Sequence, residues 1–328
     1  MKVSVIIPVY NVSKYIEKSI NSICNQTMQN DVECIIVNDR TPDNSIEKAK
    51  HVIANYKGPI KFKIIEHEQN KGLAAARSTG MKNAQGDYVL HLDSDDYYEN
   101  NMIEELYQNA IQNNSDVSIC DFFQTYIDKE SIYSVKEINN PEEYVKSLIR
   151  HNYNASVWNV WNKMFKRELF YKNGIDWVEG INFGEDNLIC AKLFCFIKKV
   201  SKVNKPLYHY THYNTSSYTN TLDTIVDEKT IPVLTNIEKF LRDKHLYSKF
   251  ETDINFRKLS IKIILLRFGE KELRKYYNTL YPNTYKYIWK SPDISPLSKI
   301  KLYLAHININ LFNVFETIHK QILKYENV

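Results

Sequence analysis

The stretch DYVLHLDSDD, residues 87–96, sets the problem. A strand-like apolar run ends in three acids within four residues, Asp93, Asp95 and Asp96. Like charges this close repel, and each raises the cost of ionising the next. One reading is a solvated loop in which Asp96 or Asn100 caps the following helix. The other is a site where a cation offsets the charge. The surroundings of the strand decide between them.

Upstream, strand and helix patterns alternate. VSVIIPVY (3–10) is apolar and β-branched, and Ile16, Ile20, Ile23 and Cys24 recur at helical spacing. VECIIVND (32–39) reads as a second strand, followed by Asp43-Asn44-Ser45 as helix caps. IKFKIIEHE (60–68) is a third strand, LAAARSTGMKNA (73–84) a helix, and DYVLHL the fourth strand. MIEELYQNAI (102–111) and DVSICDFF (116–123) extend the alternation to about residue 126. Such alternation predicts an α/β fold, a Rossmann-like, mostly parallel sheet flanked by helices. Beyond it the reading predicts helices at about 141–150 and 156–172, a Gly- and acid-rich loop at 174–186, and a polar stretch at 205–220. From about 230 the pattern is helical, and after SPDISP (291–296) one last helix is expected.

Open α/β sheets bind ligands at the carboxyl ends of their strands. Pro8, Tyr10 and Asn11 follow strand 1, Asp39 follows strand 2, Asn70 and Lys71 follow strand 3, and Asp93 to Asp96 follow strand 4. The first glycine is Gly58, so neither a dinucleotide loop nor a P-loop exists after strand 1. Phosphates bound at this rim need another counter-charge. A Mg²⁺ or Mn²⁺ ion between one or two carboxylates and a diphosphate supplies it.

The stretches SVIIPVYN, IIVND, NKGLAAARSTG and DYVLHLDSDD, in this order and spacing, resemble the family 2 glycosyltransferases of GT-A fold. The likeness is dense over residues 1–100, looser in WNVWNKMFKRELF, FGEDNLICAKLF and PLYHYTHYNTSS, and ends near residue 230. It implies a catalytic domain over 1–225, with a nucleotide-sugar half to about 126 and an acceptor half after it, then a helical region at 226–328. It also implies that Pro8, Tyr10 and Asn11 border the nucleotide, that Asp39 accepts hydrogen bonds from a uracil ring, and that Asn70, Lys71 and Arg77 lie near base and phosphates. Asp93 and Ser94 would reach the ribose or sugar, and Asp95 would ligate Mn²⁺ or Mg²⁺, with His209 touching metal or phosphate. One departure stands out: the family's usual D-D-G-S is Asn38-Asp39-Arg40-Thr41 here.

Transfer of a sugar to a hydroxyl needs a base within hydrogen-bond reach. The resemblance makes Asp186 that base and Glu185 its acceptor-orienting partner. Trp158 is expected at the acceptor, with Trp161 and Lys163 nearby; core packing is the alternative for the tryptophans. Without the family, Tyr10 reads equally as loop packing, Arg77 as a surface charge, Asp39 as a helix cap, and Glu185-Asp186 as acids favoured at a helix N-terminus. The implied reaction is an inverting transfer from a UDP-sugar to a glycan or lipid-linked acceptor in surface polysaccharide synthesis. A nucleotidyltransferase and a non-catalytic scaffold subunit are the competing readings.

The 328 residues carry a formal net charge of +4, too small for a nucleic-acid partner. Residues 230–328 hold 17 Lys and Arg against 9 Asp and Glu, a net of +8. Together with the apolar last helix this suggests membrane-surface contact, a second subunit in a homodimer, or packing on the catalytic domain. Five cysteines without a CxxC pair read as free thiols in a reducing compartment. The sequence lacks a signal-peptide pattern and a transmembrane-length apolar run, which predicts a cytoplasmic protein, peripheral on the inner face of the membrane if the helix binds lipid.

Overall fold

The computed structural model describes residues 1–150, 158–214, 230–268 and 275–325. The chain divides into two compact units, Met1–Leu148 with Tyr153–Asp223, and Ile149–Asn152 with Thr224–Val328.

In the first unit the chain runs through β1 (Val3–Val9), α1 (Ile16–Cys24), β2 (Val32–Asn38), α2 (Ser45–Asn55), β3 (Lys61–Glu66), α3 (Leu73–Asn83) and β4 (Tyr88–His91). It continues through β5 (Tyr97–Tyr98), α4 (Met102–Gln112), β6 (Val117–Thr125), β7 (Glu130–Tyr133), α5 (Pro141–Arg150), β8 (Lys163–Lys166), α6 (Glu168–Asn173), α7 (Glu185–Phe194) and β9 (Val200–Thr211). One sheet orders its strands β3-β2-β1-β4-β8-β6-β9-β5, with β7 paired to β6. β3, β2, β1 and β4 are parallel, which brings their carboxyl ends to one rim. β1 and β2 are buried along their whole length, as a strand covered on both faces must be. β3 carries exposed Lys61 and Lys63, suited to an edge.

Two expectations need correction. Residues 163–166 form a strand, antiparallel to both β4 and β6, where the spacing predicts helix. Lys163, Met164 and Phe165 are buried mid-sheet, so tertiary burial overrides the local pattern, and helix is confined to Glu168–Asn173. The polar stretch that opens at 205 begins as strand: Val200–Thr211 is one long strand parallel to β6. Pro206 pairs with Asp121 where the register slips, a place that tolerates a missing N–H. Ser216 and Ser217 lie outside the described residues.

The second unit packs α8 (Ile231–Asp243), α9 (Tyr247–Phe268) and two further helices, Pro296–Ile307 and Ile309–Tyr325. Its core joins Leu259, Leu266, Tyr277, Ile288, Leu302 and Phe312. The single last helix of the sequence reading is thus two, separated by Asn308 in an extended conformation. None of the five cysteines forms a disulfide. Among the described residues no helix is long and apolar enough to cross a membrane.

Candidate active site

The rim is built from loops that organise one another. After β1, Tyr10 is 44% exposed and Asn11 turns with φ 55°. The Asn11 N–H donates to Thr41 Oγ1 at 2.8 Å, and the Ser13 N–H donates to Asp43 Oδ2 at 2.8 Å. Asp43 also accepts from the Thr41 hydroxyl and from the N–H and hydroxyl of Ser45. Burial pushes its carboxyl up, but these hydrogen bonds win and bring it down to about 2. The loop thus keeps its shape without the family's glycine. Arg40 takes that position with φ 56°, a left-handed conformation that costs an ordinary side chain energy.

Asp39 is buried at the end of β2, where hydrogen bonds fix both of its oxygens. Oδ1 accepts the Lys71 N–H at 2.8 Å and lies 2.7 Å from His67 Nδ1; Oδ2 accepts the Gly72 N–H at 2.7 Å. Thr79 Oγ1 holds the other His67 nitrogen at 2.9 Å. So Asp39 clamps the β3–α3 loop, while Asn70 and the Lys71 side chain stay exposed on it. Gly72 opens α3 with φ 87°, and a Cβ there would collide with the Asn182 side chain. Asn182 Oδ1 in turn accepts the Ala74 N–H at 3.1 Å. A residue of the 174–184 loop therefore fastens the first turn of α3.

The three acids after β4 have three separate partners. Asp96 is buried, accepting from Tyr208 Oη and the Thr211 N–H, each at 2.7 Å. Burial, then the charges of Asp95 and Asp93, push its carboxyl well up. It neither caps a helix nor faces solvent. Asp95 Oδ2 accepts from Asn214 Nδ2 at 2.7 Å, and burial followed by the charge of Asp93 raises its carboxyl too. Ser94 between them is buried. Asp93, 24% exposed at its side chain, bonds Arg77 Nη2 at 2.6 Å.

Arg77 is not a surface charge; it is 1% exposed and meets three carboxylates. Beside Asp93, its Nη1 donates to Glu185 Oε1 at 2.8 Å and Asp186 Oδ1 at 2.5 Å. The second oxygen of Asp186 accepts the Val160 N–H at 3.1 Å. Burial opposes the Arg77 charge, but Asp186, Asp93 and Glu185 outweigh it and hold the guanidinium charged. Three acids around one cation leave an excess of negative charge. Burial and Asp186 push Glu185 up to about 8, and burial raises Asp186 as well, so the two titrate as a pair. Gly184, with φ 73°, delivers both acids at the start of α7. Beside Arg77, buried His91 is held neutral, by burial first and then by the Arg77 charge.

His209 sits elsewhere in the sheet. Its ring stacks between Tyr97 and Phe123, and its nitrogens lie 2.7 Å from Glu99 Oε1 and 2.9 Å from Glu130 Oε1. Both of its nitrogens are thus held by carboxylates. Trp161 is core, stacked on Tyr208 at 4.2 Å. Trp158 is half-buried, its carbonyl accepting from Cys190 Sγ at 3.3 Å, on the segment that leads to Val160. Lys163 is fully buried, its Nζ donating to Asn159 O and Asn162 Oδ1. His67, Val160, Asn182 and Asn214 were not singled out from the sequence. Only Asn182, an amide just before Gly184-Glu185-Asp186, carried a local signal.

Among the described residues, no group of three or more His, Cys, Asp or Glu could alone hold a metal ion. The donor set still fits a cation completed by ligand phosphates: Asp95 and Asp93 are adjacent carboxylates whose mutual repulsion a divalent ion would relieve.

The model of Glycosyl transferase family 2 matches residues 4–176. The chain belongs to this family. The uncharacterized glycosyltransferase EpsJ of Bacillus subtilis is 32% identical over 258 residues, 77% of this chain and 69% of that one. The cholesterol galactosyltransferase of Borreliella burgdorferi is 34% identical over 226 residues, 65% of this chain and 60% of that one. The crystal structure of Staphylococcus aureus TarS 1-349 superposes with a TM-score of 0.68 at 19% identity, covering 98% of this chain and 92% of that one. TarS has also been solved with UDP and with UDP-GlcNAc. The architecture is therefore the GT-A fold, and this family 2 member is a glycosyltransferase.

Proposed function

We propose that the chain transfers a sugar from a UDP-sugar to a hydroxyl of a glycan or lipid-linked acceptor, with inversion at the anomeric carbon, in surface glycan assembly at the cytoplasmic face of the membrane. The observation that carries this reading is the Arg77 cluster at the strand ends. There Asp186 has two donors, Arg77 and the Val160 N–H, while its neighbour Glu185 is pushed up to about 8. Two coupled carboxylates in unlike environments divide the roles: Glu185 keeps a proton near neutral pH, and Asp186 is the ionised base.

The acceptor hydroxyl gives its proton to Asp186 as its oxygen attacks the anomeric carbon. The bond from that carbon to the diphosphate oxygen breaks on the opposite face, and UDP leaves with the electron pair. Protonated Glu185 donates a hydrogen bond that orients the acceptor. The excess negative charge around Arg77 favours the positive charge that develops on the sugar. Asp95, with Asp93, would hold a divalent ion, which supplies the counter-charge for the leaving diphosphate. Tyr10 and Asn11 border the nucleotide, and Asp39 fixes the loop that bears Lys71 while offering the one remaining lone pair of Oδ2 to the uracil. Trp158, joined to the base by the short segment to Val160, is placed at the acceptor. The fold shared with TarS, solved with UDP and UDP-GlcNAc, supports the choice of donor.

Calorimetric titration of UDP, GDP, CDP and dTDP, with and without Mn²⁺, tests the donor. Tight Mn²⁺-dependent UDP binding, lost in Asp95→Ala, is the expected result. Preference for another base overturns the UDP assignment, and metal-independent binding overturns the role given to Asp95. A product with retained anomeric configuration would rule out the single in-line attack.

A further inference from the structure

The two C-terminal helices carry apolar surface that their own core does not use. Leu302, Ala305 and Phe312 pack into the second unit. Ile307, Leu311, Val314, Ile318 and Ile322 do not, being 48–59% exposed. On the last helix, the four from Leu311 to Ile322 fall at spacings that form one stripe, distinct from the buried Phe312. Trp289 and Tyr303, 59% and 44% exposed, form a pair with ring centroids 6.0 Å apart.

The charges in this region are mostly positive. From 285 to 325 the acids are Asp293 and Glu316 alone. Asp293 lies 4.0 Å from Arg150, and Glu316 bonds Lys301 at 2.8 Å. Lys286, Lys290 and Lys320 are exposed, and Lys299 Nζ donates to the Trp289 carbonyl at 3.2 Å. Spread over the segment before Pro296 and the two helices, an apolar stripe, an exposed Trp–Tyr pair and lysines that outnumber the acids match the composition of surfaces that lie in a lipid headgroup layer.

We propose that this face docks on an anionic lipid surface. Aliphatic side chains enter the acyl boundary, Trp289 and Tyr303 sit at headgroup depth, and the lysines meet lipid phosphates. A second copy of the chain is the poorer occupant. A two-fold contact of this face with itself would bring lysine toward lysine, with both nearby acids already paired. The proposal stands on the second unit alone and does not depend on the donor or on the base.

Flotation of the full chain with vesicles tests it. The chain should float with vesicles of phosphatidylcholine and phosphatidylglycerol, much less with phosphatidylcholine alone, and less again at high salt. The double variant Val314→Glu/Ile318→Glu, at positions more than half exposed, should reduce the bound fraction at least about tenfold with an unchanged circular dichroism spectrum and unchanged UDP binding. Lys290→Glu/Lys320→Glu should remove most of the preference for phosphatidylglycerol. No flotation of the full chain, or equal flotation of the Val314/Ile318 variant, overturns the proposal. So does a dimer in sedimentation velocity that the same double variant dissociates, without any vesicle binding; that result would assign the face to a second copy.

Discussion

Asp39 and Arg77 are both buried charges near the rim, and they are satisfied in opposite ways. Asp39 has backbone N–H groups and one histidine, all fixed by the local path of the β3–α3 loop. Its charge is met by dipoles that cannot move away. Arg77 has three carboxylates, two of them from a helix more than a hundred residues later. Its surroundings are over-supplied with negative charge. The first arrangement holds a shape; the second holds a charge imbalance, which only chemistry or a bound cation relieves. The Asp39 end of the rim is thus a finished hydrogen-bond lattice, and the Arg77 end is left electrostatically unfinished.

The sharpest way to break that contrast is Arg77→Met. It leaves Glu185, Asp186 and Asp93 without their cation and should cost about 3–5 kcal/mol in thermal or urea unfolding, along with activity. A loss under about 1 kcal/mol would mean that water already carries much of the charge at this end. Asp186→Asn keeps the shape but removes the proposed base. Turnover should fall by about 10²–10⁴-fold while calorimetric UDP affinity holds.

The pH profile sharpens the comparison further. With the Glu185–Asp186 pair raised, the wild-type acid limb should lie above the ordinary carboxylate range. Glu185→Gln replaces a carboxyl that is already neutral at that limb, so it should leave the limb nearly in place and remove the titration near 8. For stability the sign follows from proton uptake: the folded state holds the Glu185 proton more tightly than the unfolded chain. That contribution is fully present below about 4.5 and is lost as pH rises through about 8. At the other end, Asp39→Asn turns an acceptor oxygen into a donor facing an N–H. It should cost about 1–3 kcal/mol, measured by unfolding, and weaken UDP binding without moving the pH profile. Arg40→Gly should have the smallest effect, a gain of no more than about 1 kcal/mol from a relaxed left-handed residue.

The same contrast explains what the sequence made legible. The parallel strands, Asp39 and the acids after β4 announce themselves locally, through apolar runs that end in polar residues. Arg77 stood in a readable motif, yet its three partners did not follow from it. The strand at Lys163–Lys166 was hidden because its residues carry a helix-compatible spacing and become a strand only between β4 and β6. The strand holding His209 was hidden by its lysines and Pro206. His67, Asn182 and Asn214 find partners 28, 108 and 119 positions away, and no local pattern specifies such pairings.

Glu185 and Asp186 lie beyond residue 176, where the match to the family model ends, and they reach Arg77 only after that stretch has been made. During synthesis, β1 to β4 and the Asp39 clamp can form while the ribosome has yet to add residue 185. Asn182 at the first turn of α3, Tyr208 and Thr211 on Asp96 and Asn214 on Asp95 are also late additions. The strands come first, but the rim proposed for the nucleotide and the proposed base are completed together, by the stretch from 182 to 214.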